Sequence, residues 1–487
     1  HPMILVPDPE DEVFLERLHE GGRQMAKVFL AKGGTISGEH GIGIEKQAFM
    51  PLMYSEDELD VMRELKAIFD PDALLNPDKL FPPAGEHGAD RAESVPTVRV
   101  SLGDEITPGS TEEAASAIRA LRADGSSVRI RGGGSKTMAA EDVDVTLSTR
   151  ELAGIETYAR DDLYVKVRAG TRLADLQREL TADGMRVPLV SPWPEATVGG
   201  IVATRMNAPL RMRYGGVRDL VQALTVVMPD GRVVRAGRPV MKNVAGYDLV
   251  KLFTGSWGTL GLITDVTFKL SPMPRAVRTL AVPVDTIAVG LDWGRRLLPQ
   301  ALVASTVMLM RGGPAAGRMG APLSLLYTAE GLPEDVEAEL NQVRSLLRMH
   351  GAPSFTDVSE TGSALWAEWS GAPLVGPDAH LIRAGMPVKA LGPVIDALAQ
   401  DTNGPPLGER AVLLDLANGQ LYLRGPADLA AMRRVLHAHE GYAVVLRSSD
   451  SSSLDRWGYR SDGQPMMDAI KAQWDPEHHF NPGAFVV

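Results

Sequence analysis

The sequence predicts an α+β protein, on three observations. Between residues 127 and 270, short apolar strands are punctuated by dense glycines. From about 274 to 450, helix and strand patterns alternate without a glycine-rich binding loop. A segment near the start also recurs at the end. Lys66, Asp70-Pro71 and Asn76-Pro77 match Lys471, Asp475-Pro476 and Asn481-Pro482 at a constant offset of 405, without a gap. An aromatic precedes each Asp-Pro, Phe69 in one copy and Trp474 in the other. The later copy closes the chain, so the earlier one reads as the ending of another protein whose body is missing. That reading divides the chain near residue 82.

In chain order, residues 8–31 suit a helix. Phe14, Leu18, Met25, Val28 and Phe29 form its apolar face, and Gly21-Gly22 weakens its middle. A glycine-punctuated stretch, GGTISGEHGIG (33–43), follows. Ser55 with Glu58 makes a capping box. It opens a helix that carries Leu59, Met62, Leu65 and Phe69 on one face and stops before Pro71. Residues 83–94, rich in Pro, Gly and charge without a period, read as a linker. Ser110 caps the next helix, with Glu113 at its third position and Ala114, Ala117, Ile118 and Leu121 behind. Strands follow at SVRIR (127–131), YVKVRAG (164–170), ALTVVMPDG (223–231) and LGLITDVTFKL (260–270); Asp230-Gly231 signals a hairpin. VEAELNQVRSLLRMHG (336–351) is the clearest helix of the second half, and QLYLRG and AVVLRS read as strands. The resulting units are 1–82, a linker at 83–94, 95–273, 274–450 and a returning segment at 451–487.

With 487 residues, the chain is long enough for two or three domains with sizeable cores. It is 44% apolar and 23% charged, ordinary for a globular protein. A net charge of -12 argues against a general nucleic-acid binder. The absence of cysteine excludes disulfides, thiolate chemistry and Cys-ligated iron–sulfur clusters within the chain. No apolar run approaches the roughly 18–20 residues of a membrane span, and no secretory signal is visible, so a cytoplasmic location is expected.

Arg131 runs into Gly132-Gly133-Gly134-Ser135 directly after a strand. Consecutive glycines admit positive φ and bring bare N–H groups close to a ligand. The loop suits either a tight turn or an oxyanion nest for a pyrophosphate. Its spacing matches neither the dinucleotide fingerprint GxGxxG nor a phosphate-binding P-loop. ATVGGIVATRMNAP (196–209), RYGG (213–216) and NVAGYDLVKLFTGSWGTLGLITDVTF (243–268) add further glycines within the β-rich region, implying close approach to a flat or extended ligand.

Together these segments resemble the FAD-binding domain of the vanillyl-alcohol oxidase (PCMH) type, in family order over about 130 residues. Among its branches they are most similar to the FAD-binding subunits of glycolate oxidases. The resemblance implies an FAD-binding domain followed by an α+β cap domain. It places the FAD pyrophosphate at Arg131, Gly132, Gly133, Gly134 and Ser135, and the diphosphate and flavin at Thr197, Gly199 and Gly200. The adenine–ribose side falls to Gly255, Gly258, Thr259, Leu260, Gly261 and Ile263. Two positions depart from the family pattern: Arg205 and Ala208 stand where Asn and Gly are usual. Ser135 follows the triple glycine and no Cys is present, so noncovalent FAD is expected.

Glu39-His40 is a carboxylate–imidazole pair inside a glycine turn, able to bind a divalent cation and take up a proton near neutral pH; taken alone, a solvated Glu and a turn His are the simpler explanation. The His1-Pro2 start, SGEHGIG and FDPDALLNPDKLFP resemble the C-terminus of FAD-linked 2-hydroxy-acid oxidases, the D-lactate dehydrogenases and catalytic glycolate oxidase subunits. By that resemblance His1 and Glu39 are metal ligands of an incomplete, doubtful site, and His40 is the base that takes the substrate hydroxyl proton. The implied activity is oxidation of glycolate or a similar 2-hydroxy acid to the 2-oxo acid. The implied partners are a catalytic FAD-linked subunit and an iron–sulfur subunit, with the complex peripheral to the inner membrane face. Two rivals stand beside this expectation: a self-sufficient D-2-hydroxy-acid dehydrogenase using His40, and a flavin-free scaffold.

Overall fold

The computed structural model describes residues 8, 10–83, 104–136, 143–400, 407, 410–450 and 454–486. His1 and nearly all of the expected linker lie outside them. The first helix, Glu12–Ala31, is capped by Asp11 and runs through Gly21-Gly22 without a break. Ser55 and Glu58 form the expected capping box at the start of Glu56–Phe69. Leu59, Met62 and Leu65 are buried there, but Phe69 is 53% exposed and leaves the expected apolar face.

This N-terminal portion seats on the edge of a five-stranded antiparallel sheet. Its strands lie in the order Ile155–Ala159, Tyr164–Arg168, Leu262–Lys269, Val221–Val227 and Val233–Gly237. The last is an edge strand, whose free N–H groups invite pairing. Here Glu58 accepts the Arg235 N–H at 2.9 Å, and Glu64 grips Arg232 with two contacts at 2.9 and 3.1 Å. The expected hairpin joins Val221–Val227 to Val233–Gly237, with Gly231 at φ 83°.

A three-stranded parallel sheet sits beside it, ordered Asp104–Ile106, Val145–Ser148, Val128–Arg131. The Thr111–Asp124 helix, capped by Ser110, packs Ala114, Ile118 and Leu121 into the core that it shares with Val128, Val145 and Leu147. Phe480 closes the same core from the far end of the chain, and its backbone bridges Val128.

Residues 276–448 build an eight-stranded antiparallel sheet. Alternation along its strands decides which core each residue joins. Met308, Met310, Leu326 and Tyr422 face the core shared with the glycine-rich half, whereas Val307, Leu309, Leu325 and Tyr327 face a separate core. The helices Ile287–Leu297, Pro333–Met349, Leu391–Gln400 and Leu429–His437 supply that second core. The sheet therefore leans its Met- and aromatic-rich face over the glycine loops.

The two copies of the repeated segment share one conformation. Asp70 and Asp475 end their helices at φ/ψ of -144/65° and -143/65°, and Asn76 and Asn481 both lie at φ 46°. In each, the aspartate accepts the N–H groups four and five residues on. In each, the lysine pairs with that aspartate and donates to the carbonyl of residue 75 or 480. The sequence repeat is thus a structural repeat with its own internal hydrogen bonding.

Candidate functional site

The glycine loops converge on one cleft. Its walls are the 130–136 loop, the start of the Val198–Thr204 helix, residues 257–263, Leu454 with Arg456, and Asn481–Ala484 of the second repeat. Glycine is required here by close packing. A Cβ on Gly133 would lie 1.7 Å from the Glu195 carbonyl oxygen, one on Gly132 2.4 Å from Thr197 Oγ1, and one on Gly199 2.7 Å from Ala169 Cβ. Asn481 ties the cleft shut: its Oδ1 accepts the Ile130 N–H at 2.6 Å and its Nδ2 donates to the Trp257 carbonyl at 2.7 Å.

Of the residues expected at the cofactor, Gly132, Gly133, Ser135, Thr197, Gly199, Gly200, Gly258, Gly261 and Ile263 line this cleft. Arg131 points away to Glu105 at 2.8 Å. The Thr259 carbonyl is taken by Lys471 at 2.8 Å, and Gly255 borders a neighbouring cavity. Gly134 (φ 68°) turns the loop without lining the cleft.

Three cations that sequence reasoning missed also line it, Arg129, Lys136 and Arg456. Burial, with the repulsion of Arg456 behind it, pushes Lys136 down to about 8; its ammonium sits 5.1 Å over the Trp193 ring. Burial, with Arg383 repelling it, pulls Arg456 down to about 10. Arg456 lies 4.3 Å over the Trp257 ring, and its Nη2 is buried without a hydrogen-bond partner. Lys136 directly follows the glycine loop, a signal the sequence offered; Arg456, more than 300 residues on, carried none. Two desolvated cations, one orphaned donor and bare glycine backbone fit a dinucleotide pyrophosphate and so fit FAD.

A pH dependence follows. Lys136 is charged below pH about 8 and attracts a pyrophosphate there. FAD affinity, followed by flavin fluorescence, is therefore expected to be flat below about pH 7.5 and to fall above about pH 8. Lys136→Met is expected to weaken binding by ~10-fold at pH 7 and to remove the slope.

Beyond Trp257 lies a second cavity, between the glycine-rich half and the eight-stranded sheet. Thr204 and Trp257 border both spaces. Three arginines line it, Arg205 and Arg211 from one side and Arg383 from the sheet, with Asp415 as its only carboxylate among the described residues. None of the three makes an ion pair within the 4 Å reach of a described carboxylate; the Arg383 Nε is buried and unpartnered. Burial, then Arg218 and Arg211, lowers the Arg205 pKa. Arg205 caps its helix at φ 47°, a left-handed position where Asn or Gly is easier, so its departure from the family pattern places a cation in this cavity at a backbone cost. Burial pushes Asp415 up to about 6, opposed by its hydrogen bonds from Asn418, one of them at 2.8 Å.

Glu39 and His40 are exposed on the loop after the first helix and line neither space. Glu39 pairs with Lys242 at 3.2 Å. Among the described residues no cluster of three or more His, Cys, Asp or Glu could hold a metal ion. No helix among them is long and apolar enough to cross a membrane.

Comparison with known proteins agrees with this architecture. Residues 105–237 match the FAD binding domain family, and residues 1–80 match the FAD linked oxidases, C-terminal domain family. D-lactate dehydrogenase of Archaeoglobus fulgidus is 30% identical over 241 residues, covering 47% of this chain and 54% of that protein. The Escherichia coli glycolate oxidase subunit GlcE is 39% identical over 154 residues, covering 31% and 44%. The chain thus spans about half or less of the length of these relatives. Substrate-bound p-cresol methylhydroxylase superposes with a TM-score of 0.61 at 14% identity, over 88% of this chain and 96% of that one, and shares the fold.

Proposed function

We propose, for a chain that carries an FAD-binding domain and an FAD-linked oxidase C-terminal segment, that it oxidises a small 2-hydroxy acid such as glycolate or D-lactate. The supporting observation is the arginine cavity beside the FAD cleft. Three guanidinium groups, those of half-buried Arg383 and of the more exposed Arg205 and Arg211, against one carboxylate favour an anion, because their mutual repulsion is relieved when a carboxylate enters. In this reading Arg205, Arg211 and Arg383 hold and orient the substrate carboxylate. Asp415, ionised above pH about 6, accepts the hydroxyl proton as the α-carbon loses its hydride. Bound FAD supplies the two-electron acceptor. Trp257 and the sheet residues Tyr422 and Tyr442 exclude water from the cavity. A chain without cysteine cannot hold thiolate-ligated clusters, so in a glycolate-oxidase-like complex the electrons leave through a separate iron–sulfur partner.

Titration of the FAD-loaded chain with glycolate and with D-lactate under anaerobic conditions tests this. Bleaching of the flavin band is expected, with a rate that rises through about pH 6 as Asp415 ionises. Arg383→Met is expected to weaken binding of the acid, read calorimetrically, by about 10–100-fold without loss of flavin. Asp415→Asn should bind the acid yet reduce at least ~100-fold more slowly. Neither acid binding nor bleaching the flavin would overturn the proposal.

A further inference from the structure

The two copies of the repeat end in opposite circumstances. In the later copy Trp474 is 3% exposed and Phe480 2%; their counterparts Phe69 and Leu75 are 53% and 65% exposed, and neighbouring Leu74 is 76% exposed. The later copy is docked. Val128 N–H donates to the His479 carbonyl at 2.7 Å, and Asn481 N–H donates back to the Val128 carbonyl at 2.8 Å. The Asn481 carboxamide joins Ile130 to Trp257, and Lys471 reaches the Thr259 carbonyl. The earlier copy holds the same groups in the same conformation, and among the described residues no strand end or glycine turn stands opposite them. Among the described residues the Asn76 carboxamide makes no hydrogen bond, and Lys66 bonds only within its own segment, to Asp70 and Leu75. An apolar hollow lined by Leu65, Phe69, Leu75, Leu80 and Tyr247 lies against it.

We infer that residues 69–80 are a docking element for a second FAD-binding unit, built like residues 104–272 and carried by a partner chain. The docked copy specifies the chemistry of the receptor. It is a strand end that offers one N–H and one carbonyl from a single residue and an N–H two residues on. Two carbonyls from a glycine turn complete it, one for the asparagine amide and one for the lysine. The receptor of this chain is occupied by residues 471–481, so the earlier copy needs another. Preformed internal hydrogen bonds mean that little further ordering is required on binding, and burial of Phe69, Leu74 and Leu75 supplies the apolar contribution. This inference does not depend on the substrate proposed above.

The full-length chain provides its own probe. Asn481→Asp keeps the acceptor for the Ile130 N–H but sets an oxygen against the Trp257 carbonyl, weakening the resident segment. By sedimentation at ~10 µM, the wild-type chain is expected to keep one mass. Asn481→Asp is expected to self-associate as residues 69–80 of one copy enter the receptor of another. Adding Leu75→Asp, which alters only an exposed side chain of the free protein, is expected to weaken that association at least tenfold. A folded Asn481→Asp chain that does not associate, or association indifferent to Leu75→Asp, would overturn the inference. If circular dichroism shows Asn481→Asp to be unfolded, Asn481→Ser, which keeps one of the two bonds, is measured against the same outcomes.

Discussion

Lys471→Met is expected to lower stability by about 3–5 kcal/mol, whereas the same change at Lys66 is expected to leave the urea midpoint almost unmoved. The two lysines have the same aspartate at the same spacing and the same carbonyl to serve. Their surroundings differ: the side chains of Lys471 and Asp475 are 1% and 2% exposed, and that of Lys66 is 20% exposed. Burial lowers the Lys471 pKa, with Asp475 opposing the shift. Removing the ammonium leaves a buried carboxylate whose charge is met only by the His479 and Phe480 N–H groups, and it deprives the Thr259 and Phe480 carbonyls of their donor. At Lys66, water replaces what is lost. Urea unfolding followed by tryptophan fluorescence checks both variants, and Trp474, stacked 6.1 Å from Phe253, reports on the docked copy. Equal midpoints would show that docking adds nothing to the shared local motif.

Gly133→Ala is expected to abolish measurable FAD binding, a loss of at least ~100-fold. The added carbon would sit 1.7 Å from the Glu195 carbonyl oxygen, which is backbone and cannot rotate aside. The 131–135 loop or the 195–199 turn must move, and both are walls of the cleft. Gly21→Ala is the contrasting change. A Cβ there meets nothing within 4 Å on a solvent-facing helix, so a gain of about 0.5–1 kcal/mol is expected. Flavin content after reconstitution decides the first, and a thermal melt the second. Full flavin retention in Gly133→Ala would mean that the loop is looser than its packing implies.

The glycine-rich cleft was legible in the sequence because its signal is local. Gly132, Gly133, Thr197, Gly199 and Gly261 lie in short runs where chain geometry itself restricts the residue. The caps at Ser55 and Ser110 were legible for the same reason. The arginine cavity was not: Arg205, Arg211 and Arg383 are ordinary surface residues by composition, and only folding of the sheet over the loops gathers them. Arg205 gave a hint as a departure from the family pattern, but its meaning depends on where its side chain ends. Phe69 misled because helical periodicity assigns a face without saying what covers it. Glu39 and His40 form a suggestive pair in sequence, yet their loop leads to Lys242 and away from both cavities.

The bond between Asn481 and Ile130 joins residues 351 positions apart. A ribosome adding roughly 5–20 residues each second needs about 20–70 s to cover that interval. Throughout it the Val128–Arg131 strand stands finished with one edge unpaired, and the cleft lacks its last wall. Residues 66–80 have already been made by then and carry the same plug. The cleft therefore has all of its walls only once residue 481 has been made, and the order of synthesis sets the earliest moment at which a complete cleft exists.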